Sequence, residues 1–262
     1  MNVRIVTYIK NEQLYIEKWL KHHLEIVPGW FIHVFDNNST DGTKEILEYY
    51  KNREGIRVTS HDNYLQKGEA VTQYIRKFKD HPCVVLPVDG DEFVALYDNE
   101  LIVDGKVIYN YLSTLPKIVG KYRALGWLNS IPEKENYDDP IREITKFKWE
   151  GTDIKDCKKF FYSSSFISTD LGFHRGNCTD KSVLDTNICY IHYRDGGKNI
   201  FKKRCIQDII GLGYDINDIN SLVNAQYGGI GSDKIKSYLQ LNEIKYNETD
   251  EYDIAFQGFN TI

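Results

Sequence analysis

The chain lacks several things that would have placed it quickly. It has 262 residues and five cysteines, and no two cysteines form a C-x-x-C pair. A zinc ribbon or finger is therefore not expected. The odd, scattered set (Cys83, Cys157, Cys178, Cys189, Cys205) reads as reduced thiols, which points to a cytoplasmic protein. No apolar window reaches the length of a membrane span, and the first apolar stretch is too short for a signal peptide. There is no overall basic excess: the net charge is -5, so no general field for nucleic acid exists. No internal repeat and no linker divides the chain. No EF-hand ligand series follows Asp89, which excludes a calcium loop of that type.

What is present is an ordinary folded composition, 41% hydrophobic and 27% charged, with 19 tyrosines. The first third alternates apolar runs with amphipathic segments. Residues 3–9, 30–35, 56–60 and 83–88 read as strands, and residues 12–25, 43–50 and 68–78 as helices. This β-α-β-α-β-α-β order predicts a parallel sheet with helices on both faces and right-handed crossovers. Beyond residue 93 the pattern loosens. A hairpin turn is expected at Asp104-Gly105, strands over 117–127, 158–167 and 188–193, a covering loop over 130–144, and a helix over 201–212. The expected architecture is thus one α/β domain, with residues 1–93 as its ligand-binding half and a smaller, irregular half over 94–262.

Two acidic stretches follow apolar strands: Asp36-Asn37-Asn38-Ser39-Thr40-Asp41-Gly42-Thr43 and Asp89-Gly90-Asp91-Glu92. Open α/β sheets bind ligands beyond the C-terminal ends of their strands. Hard divalent cations carrying phosphates are held by one or two carboxylates. The pair Asp89 and Asp91 fits that chemistry; a solvated acidic turn is the plain alternative. Asp36 can make an Asx turn while Ser39 caps the next helix. Thr7, Lys10 and Asn11 leave the first strand at the same edge, and Lys67 opens the helix before Asp89. His192 ends an apolar run and competes with His174 as a histidine ligand.

These motifs carry a family resemblance. Residues 6–12 (VTYIKNE), 15–20 (YIEKWL) and the His22-His23 pair resemble the N-terminal signature of GT-A glycosyltransferases related to families 2 and 92. The Asp36 stretch resembles their second-strand loop, and Asp89-Gly90-Asp91 resembles their DxD motif. The run from Tyr190 to Arg194, followed by Phe201-Lys202-Lys203, is similar to a C-terminal segment of the same group. The resemblance implies a GT-A, Rossmann-like fold and a transferase using a nucleotide-diphospho-sugar, most naturally a UDP-sugar, with a glycan or glycoconjugate acceptor. It implies Mn2+ or Mg2+ on Asp91, with Asp89 at the ribose or a metal-bound water and a downstream histidine, His192, completing the coordination. It also implies a hydrogen bond from a uracil-like imide N–H to Asp36, sugar platforms at Trp127, Trp149 or Tyr193, and direct displacement with inversion, for which Asp153 or Asp156, with Asp170 a further option, would supply the base. A nucleotidyltransferase would show a Gly-rich basic loop after the first strand, and none is present. A non-catalytic sugar-binding protein is opposed by the intact Asp89 and Asp91.

Overall fold

The computed structural model describes every residue except 1, 80, 82, 117–119, 151–158, 164, 171, 174–175, 229–230, 247–250, 258 and 260–262. The elements run β1 Asn2–Ile9, α1 Ile16–Ile26, β2 Ile32–Asp36, α2 Thr43–Glu54, β3 Arg57–Ser60, α3 Lys67–Arg76, β4 Cys83–Pro87, β5 Glu92–Asp98, β6 Glu100–Ile102 and α4 Gly105–Thr114. Then follow β7 Lys121–Arg123, β8 Gly126–Ser130, α5 Pro140–Glu143, β9 Lys146–Trp149, β10 Phe160–Tyr162, β11 Phe166–Ser168, β12 Asn177–Cys178, β13 Val183–Asp185 and β14 Ile188–His192. The last are α6 Lys198–Gly211, α7 Ile219–Ala225, α8 Ser232–Leu239 and β15 Ile254–Ala255.

The chain forms two compact units. The first comprises residues 1–128, 149–192 and 261–262; the second comprises 129–148 and 193–260. In the first unit a seven-stranded sheet runs in the order β13-β7-β10-β4-β1-β2-β3. Its heart, β4-β1-β2-β3, is parallel throughout. Of these, β1, β2 and β4 read as near-continuous apolar runs because both faces are covered, whereas the edge strand β3 is largely exposed. One face packs Val6, Tyr8, Phe35 and Val85 under Val71, Tyr74 and Ile75 of α3. Successive residues of a strand point to opposite faces, so Val3, Ile5, Thr7 and Ile9 face the other side. All four are buried there.

A second set of strands in the same unit is antiparallel: β5 pairs with β6 and with β14, where Glu92 faces His192 and Ile191 faces Phe93. Helix α1 is fastened to β5 by two buried histidines. His22 Nε2 lies 2.7 Å from the Val94 carbonyl, and the Val94 N–H donates to His23 Nε2 at 3.4 Å. In the second unit β15 pairs antiparallel with β9, and Ile209, Leu222 and Ile235 join α6, α7 and α8 in a small core.

The sequence-based elements of the first third are present, with shifted ends. Helix α1 begins at Ile16 rather than near Glu12. Asn11 sits in left-handed backbone, at φ 54°, which a helix cannot continue through. The expected hairpin at Asp104-Gly105 is a helix start instead. The Asp104 carboxylate accepts from the N–H groups of Lys106 and Val107, at 2.9 and 3.0 Å, and caps α4. A side chain that can close a turn can also satisfy free helix N–H groups, and local sequence does not separate the two.

Burial lowers the pKa of His22 from 6.5 to about 4, and that of His23 falls well below its ordinary value. The folded state therefore holds neutral rings that the unfolded chain would protonate. Stability should be fully present above pH 6.5 and should fall as the pH drops toward 4, by at most about 1.4 kcal/mol per pH unit for each ring. Urea midpoints measured between pH 7.5 and 5 should show this decline, and His22→Gln should flatten it.

Candidate active site

Parallel pairing brings four loops to one sheet edge. Ile9 lies opposite Asp36, and Asp36 opposite Ser60. The loops after β1, β2 and β3 therefore leave at one level, and the turn after β4 lies beside them through the Val88 N–H bond to the Val6 carbonyl, 2.9 Å. Side chains then sew the loops together. The Asn11 N–H donates to Ser39 Oγ at 2.8 Å, and the Thr40 N–H donates to Asn11 Oδ1 at 2.7 Å. Ser60 Oγ donates to Asn38 Oδ1 at 2.9 Å. Asp36 is 4% exposed. It accepts from the Ser39 hydroxyl at 2.5 Å and from the Ser39 N–H at 3.2 Å. The Asx-turn reading is thus present in the structure, and it leaves further lone pairs on a carboxylate that can accept about four hydrogen bonds.

The turn after β4 is built from its own acid. The Glu92 N–H donates to the Asp89 carbonyl at 3.0 Å, and the Trp19 indole donates to the same oxygen at 3.1 Å. The Glu92 side chain, 2% exposed, folds back to accept from the Asp89 N–H at 2.9 Å and from the Trp127 indole at 2.7 Å. Gly90 is needed for close approach: a Cβ there would lie 2.9 Å from the Ile9 side chain and 3.2 Å from Glu12. Asp89 keeps 29% of its side-chain surface and meets two ammonium groups, Lys67 at 2.6 Å and Lys159 at 3.1 Å. Burial alone would raise the Asp89 pKa; Lys159 and Lys67 outweigh it and hold the carboxyl well below the usual range. Lys67 also lies over the Phe173 ring, 4.6 Å from its centroid.

Asp91 Oδ2 lies 3.3 Å from His192 Nε2. The strand pairing of β5 with β14 makes this meeting across 101 residues of sequence. A carboxylate and an imidazole aimed at one another are a suitable donor pair for a divalent cation whose other positions a diphosphate fills. No group of three or more acidic, histidine or cysteine side chains is placed to hold a metal ion among the described residues.

The structure therefore gathers Lys67, Asp89, Asp91 and His192 at one place, with Asp36 and Asn11 in the neighbouring loops. Lys10 is half-buried at the end of β1. Thr7 is fully buried inside the sheet, and its hydroxyl has no hydrogen-bond partner among the described residues. Asp153, Asp156 and His174 lie outside the described residues. Trp127 and Tyr193 are not sugar platforms: both are buried, the first bonded to Glu92 and the second to the Ile141 carbonyl at 3.0 Å. Lys159 escaped the sequence reading altogether. The only trace it leaves there is a lysine placed directly before the apolar run Phe160–Tyr162.

The sequence profile described as glycosyl transferase family 2 matches residues 4–164, more than half of the chain and all four loops. The chain belongs to glycosyl transferase family 2. The resemblance to family 2 glycosyltransferases read from the sequence therefore holds. Among solved structures, residues 1–349 of S. aureus TarS in complex with UDP-GlcNAc are 12% identical, with a TM-score of 0.47, covering 98% of this chain and 100% of that one. A longer TarS crystal chain is 15% identical at a TM-score of 0.43, covering 92% of this chain and 43% of that one. This chain thus spans less than half of the longer TarS. Glucosyl-3-phosphoglycerate synthase from Mycobacterium tuberculosis, crystallised with Mn2+, UDP and glucosyl-3-phosphoglycerate, is 17% identical at a TM-score of 0.31, covering 55% of this chain and 47% of that one. No curated protein matches the chain significantly.

Asp89 balances two cations, so Asp89→Asn should leave both under-compensated. Discounted for the partial exposure of Asp89, the expected loss of unfolding free energy is about 1–3 kcal/mol. Chemical denaturation at pH 7 checks it, and the substitution should lower the midpoint without changing the slope of the transition.

Proposed function

We propose that the chain transfers a sugar from a nucleotide-diphospho-sugar, a UDP-sugar by preference, to a hydroxyl of a glycan or glycoconjugate, with the aid of Mn2+ or Mg2+. The observation that carries this reading is the meeting of Asp91 and His192 beside the Lys67–Asp89 pair, at the C-terminal edge of a family 2 sheet. Asp91 and His192 would hold the cation. Bound there, it would supply positive charge to the leaving diphosphate.

The protein's own groups do the rest. Lys67, held at the helix start of α3 by Asp89, provides a fixed cation at the same edge. Asp36, oriented by the Ser39 hydroxyl and N–H, accepts the imide N–H of a uracil-like base with its remaining lone pairs. Asp89, kept ionised by its lysines, accepts from a ribose hydroxyl or a metal-bound water. Asn11 keeps the first and second loops at fixed separation. Lys10 adds positive charge at the strand end. Acceptor activation falls to a base in the segment that holds Asp153 and Asp156, by direct displacement with inversion. The residues after 93 supply the acceptor contacts.

Cys83, Cys178, Cys189 and Cys205 are buried free thiols, and no helix among the described residues is long and apolar enough to cross a membrane. Both features accord with action in the reducing cytoplasm.

Thermal shift against nucleoside diphosphates and sugar nucleotides, with and without Mn2+, tests the reading, because a ligand of the folded state raises its apparent stability. UDP with Mn2+ should raise Tm more than UDP alone. Asp91→Asn and His192→Ala should each remove the Mn2+ increment while leaving the ligand-free Tm close to that of the parent. Asp36→Ala should weaken UDP by about 1–2 kcal/mol in calorimetry, the scale of a lost charged hydrogen bond. No Mn2+-dependent shift with any nucleoside diphosphate would refute the proposal.

A further inference from the structure

Beneath the acidic turn lies an ammonium group that the scheme above leaves without a role. Lys159 is fully buried. Its Nζ touches two carboxylates, Asp89 Oδ2 at 3.1 Å and Glu92 Oε2. Aromatic rings complete its surroundings, with the centroids of Tyr190 and Phe173 at 5.0 and 5.5 Å. Burial would favour a neutral amine; Asp89 and Glu92 reverse that and raise the pKa of Lys159 above its ordinary value.

We propose that Lys159 and Glu92 are positioning residues: a buried ion pair that locks the Asp89–Glu92 turn and so sets Asp91 against His192. The inference rests on the reading of this turn as the donor and metal site.

Three observations carry it. First, the contacts close a ring. Glu92 binds the Asp89 N–H at one end of the turn and opens β5 at the other, while Lys159 joins both side chains from below. The two residues between, Gly90 and Asp91, are thereby spanned. Second, the ring is anchored outside the turn. The Trp127 indole holds the second Glu92 oxygen, and Lys159 directly precedes β10, which pairs with β4 at Tyr162 and Val85. Third, an ion pair is a poor choice for stability alone. Desolvation offsets most of its attraction, and apolar side chains of similar volume serve a core as well or better. A charge pair earns its place where geometry must be single-valued, as it must for groups that hold a cation and a diphosphate.

The decisive experiment compares Lys159→Met and Glu92→Gln with the parent protein in two measurements. One is amide hydrogen exchange at Asp89 and Glu92 without ligand; the other is the affinity for UDP with Mn2+ by calorimetry. In Lys159→Met the Asp89 and Glu92 amides should exchange about tenfold faster or more, while the amides of β1 and β4 keep their rates. Affinity for UDP with Mn2+ should fall about tenfold or more. Glu92→Gln loses the charge and keeps a single acceptor oxygen, which can serve the Trp127 indole or the Asp89 N–H but not both; it should show the same pattern, read at the Glu92 amide, whose acceptor is the Asp89 carbonyl. If Lys159→Met does not fold, Glu92→Gln decides alone. Unchanged exchange in the turn of a folded variant overturns the proposal. So does faster exchange spread evenly through β1 and β4, which would make Lys159 an ordinary core residue. If the parent binds no nucleotide with Mn2+, the donor reading fails, and the exchange pattern still decides whether the pair locks the turn.

Discussion

Parallel pairing of β1 with both β2 and β4 is the constraint from which the rest follows. In a parallel sheet every strand delivers its C-terminal end to the same edge, and the crossover helices leave that edge open. Loops that are distant in sequence become neighbours there. Asn11 reaches Ser39 and Thr40, Ser60 reaches Asn38, and the turn after β4 settles beside β1. The antiparallel addition of β14 to β5 brings His192 to Asp91 from the far end of the unit. Chemistry is thus assembled by strand order, and the side chains refine what the backbone has already juxtaposed.

The edge carries an unusual charge pattern for a folded interior. Glu92 and Lys159 are buried, and Asp89 with Lys67 lies just above them. The charges of the four groups balance, which offsets the cost of placing them in low dielectric. The Asp89 carboxyl stays ionised because of its lysines, in spite of burial rather than through exposure. An acidic turn of this kind is a preorganised structure. Its shape is set by contacts within the protein, from Trp19, Glu92 and Lys159.

Much of this was legible in the sequence. The apolar runs of β1, β2 and β4 and the acidic stretches after β2 and β4 locate the sheet and its loop-bearing edge, because fully buried strands and loop carboxylates leave strong local signals. His192 was legible for the same reason: it ends an apolar run. Asp104 was misread because a capping aspartate and a turn aspartate look alike in sequence. Trp127 and Tyr193 were misread because an aromatic side chain does not announce whether its face meets solvent or core. Lys159 left no usable trace, since a lysine at a strand start is usually a solvated residue. Only the tertiary fold shows that this one points inward, under a turn 67 residues away.

The tryptophans give the turn a further property. Two of the four in the chain touch it from different elements: the Trp19 indole donates to the Asp89 carbonyl, and the Trp127 indole to the Glu92 carboxylate. Both are buried, whereas Trp30 is largely exposed. Indole emission responds to the polarity and charge beside the ring. The protein therefore contains its own optical reporter of the acidic turn, placed by the same hydrogen bonds that shape it. A change in the polarity or charge of the turn would register in the unlabelled molecule by light alone.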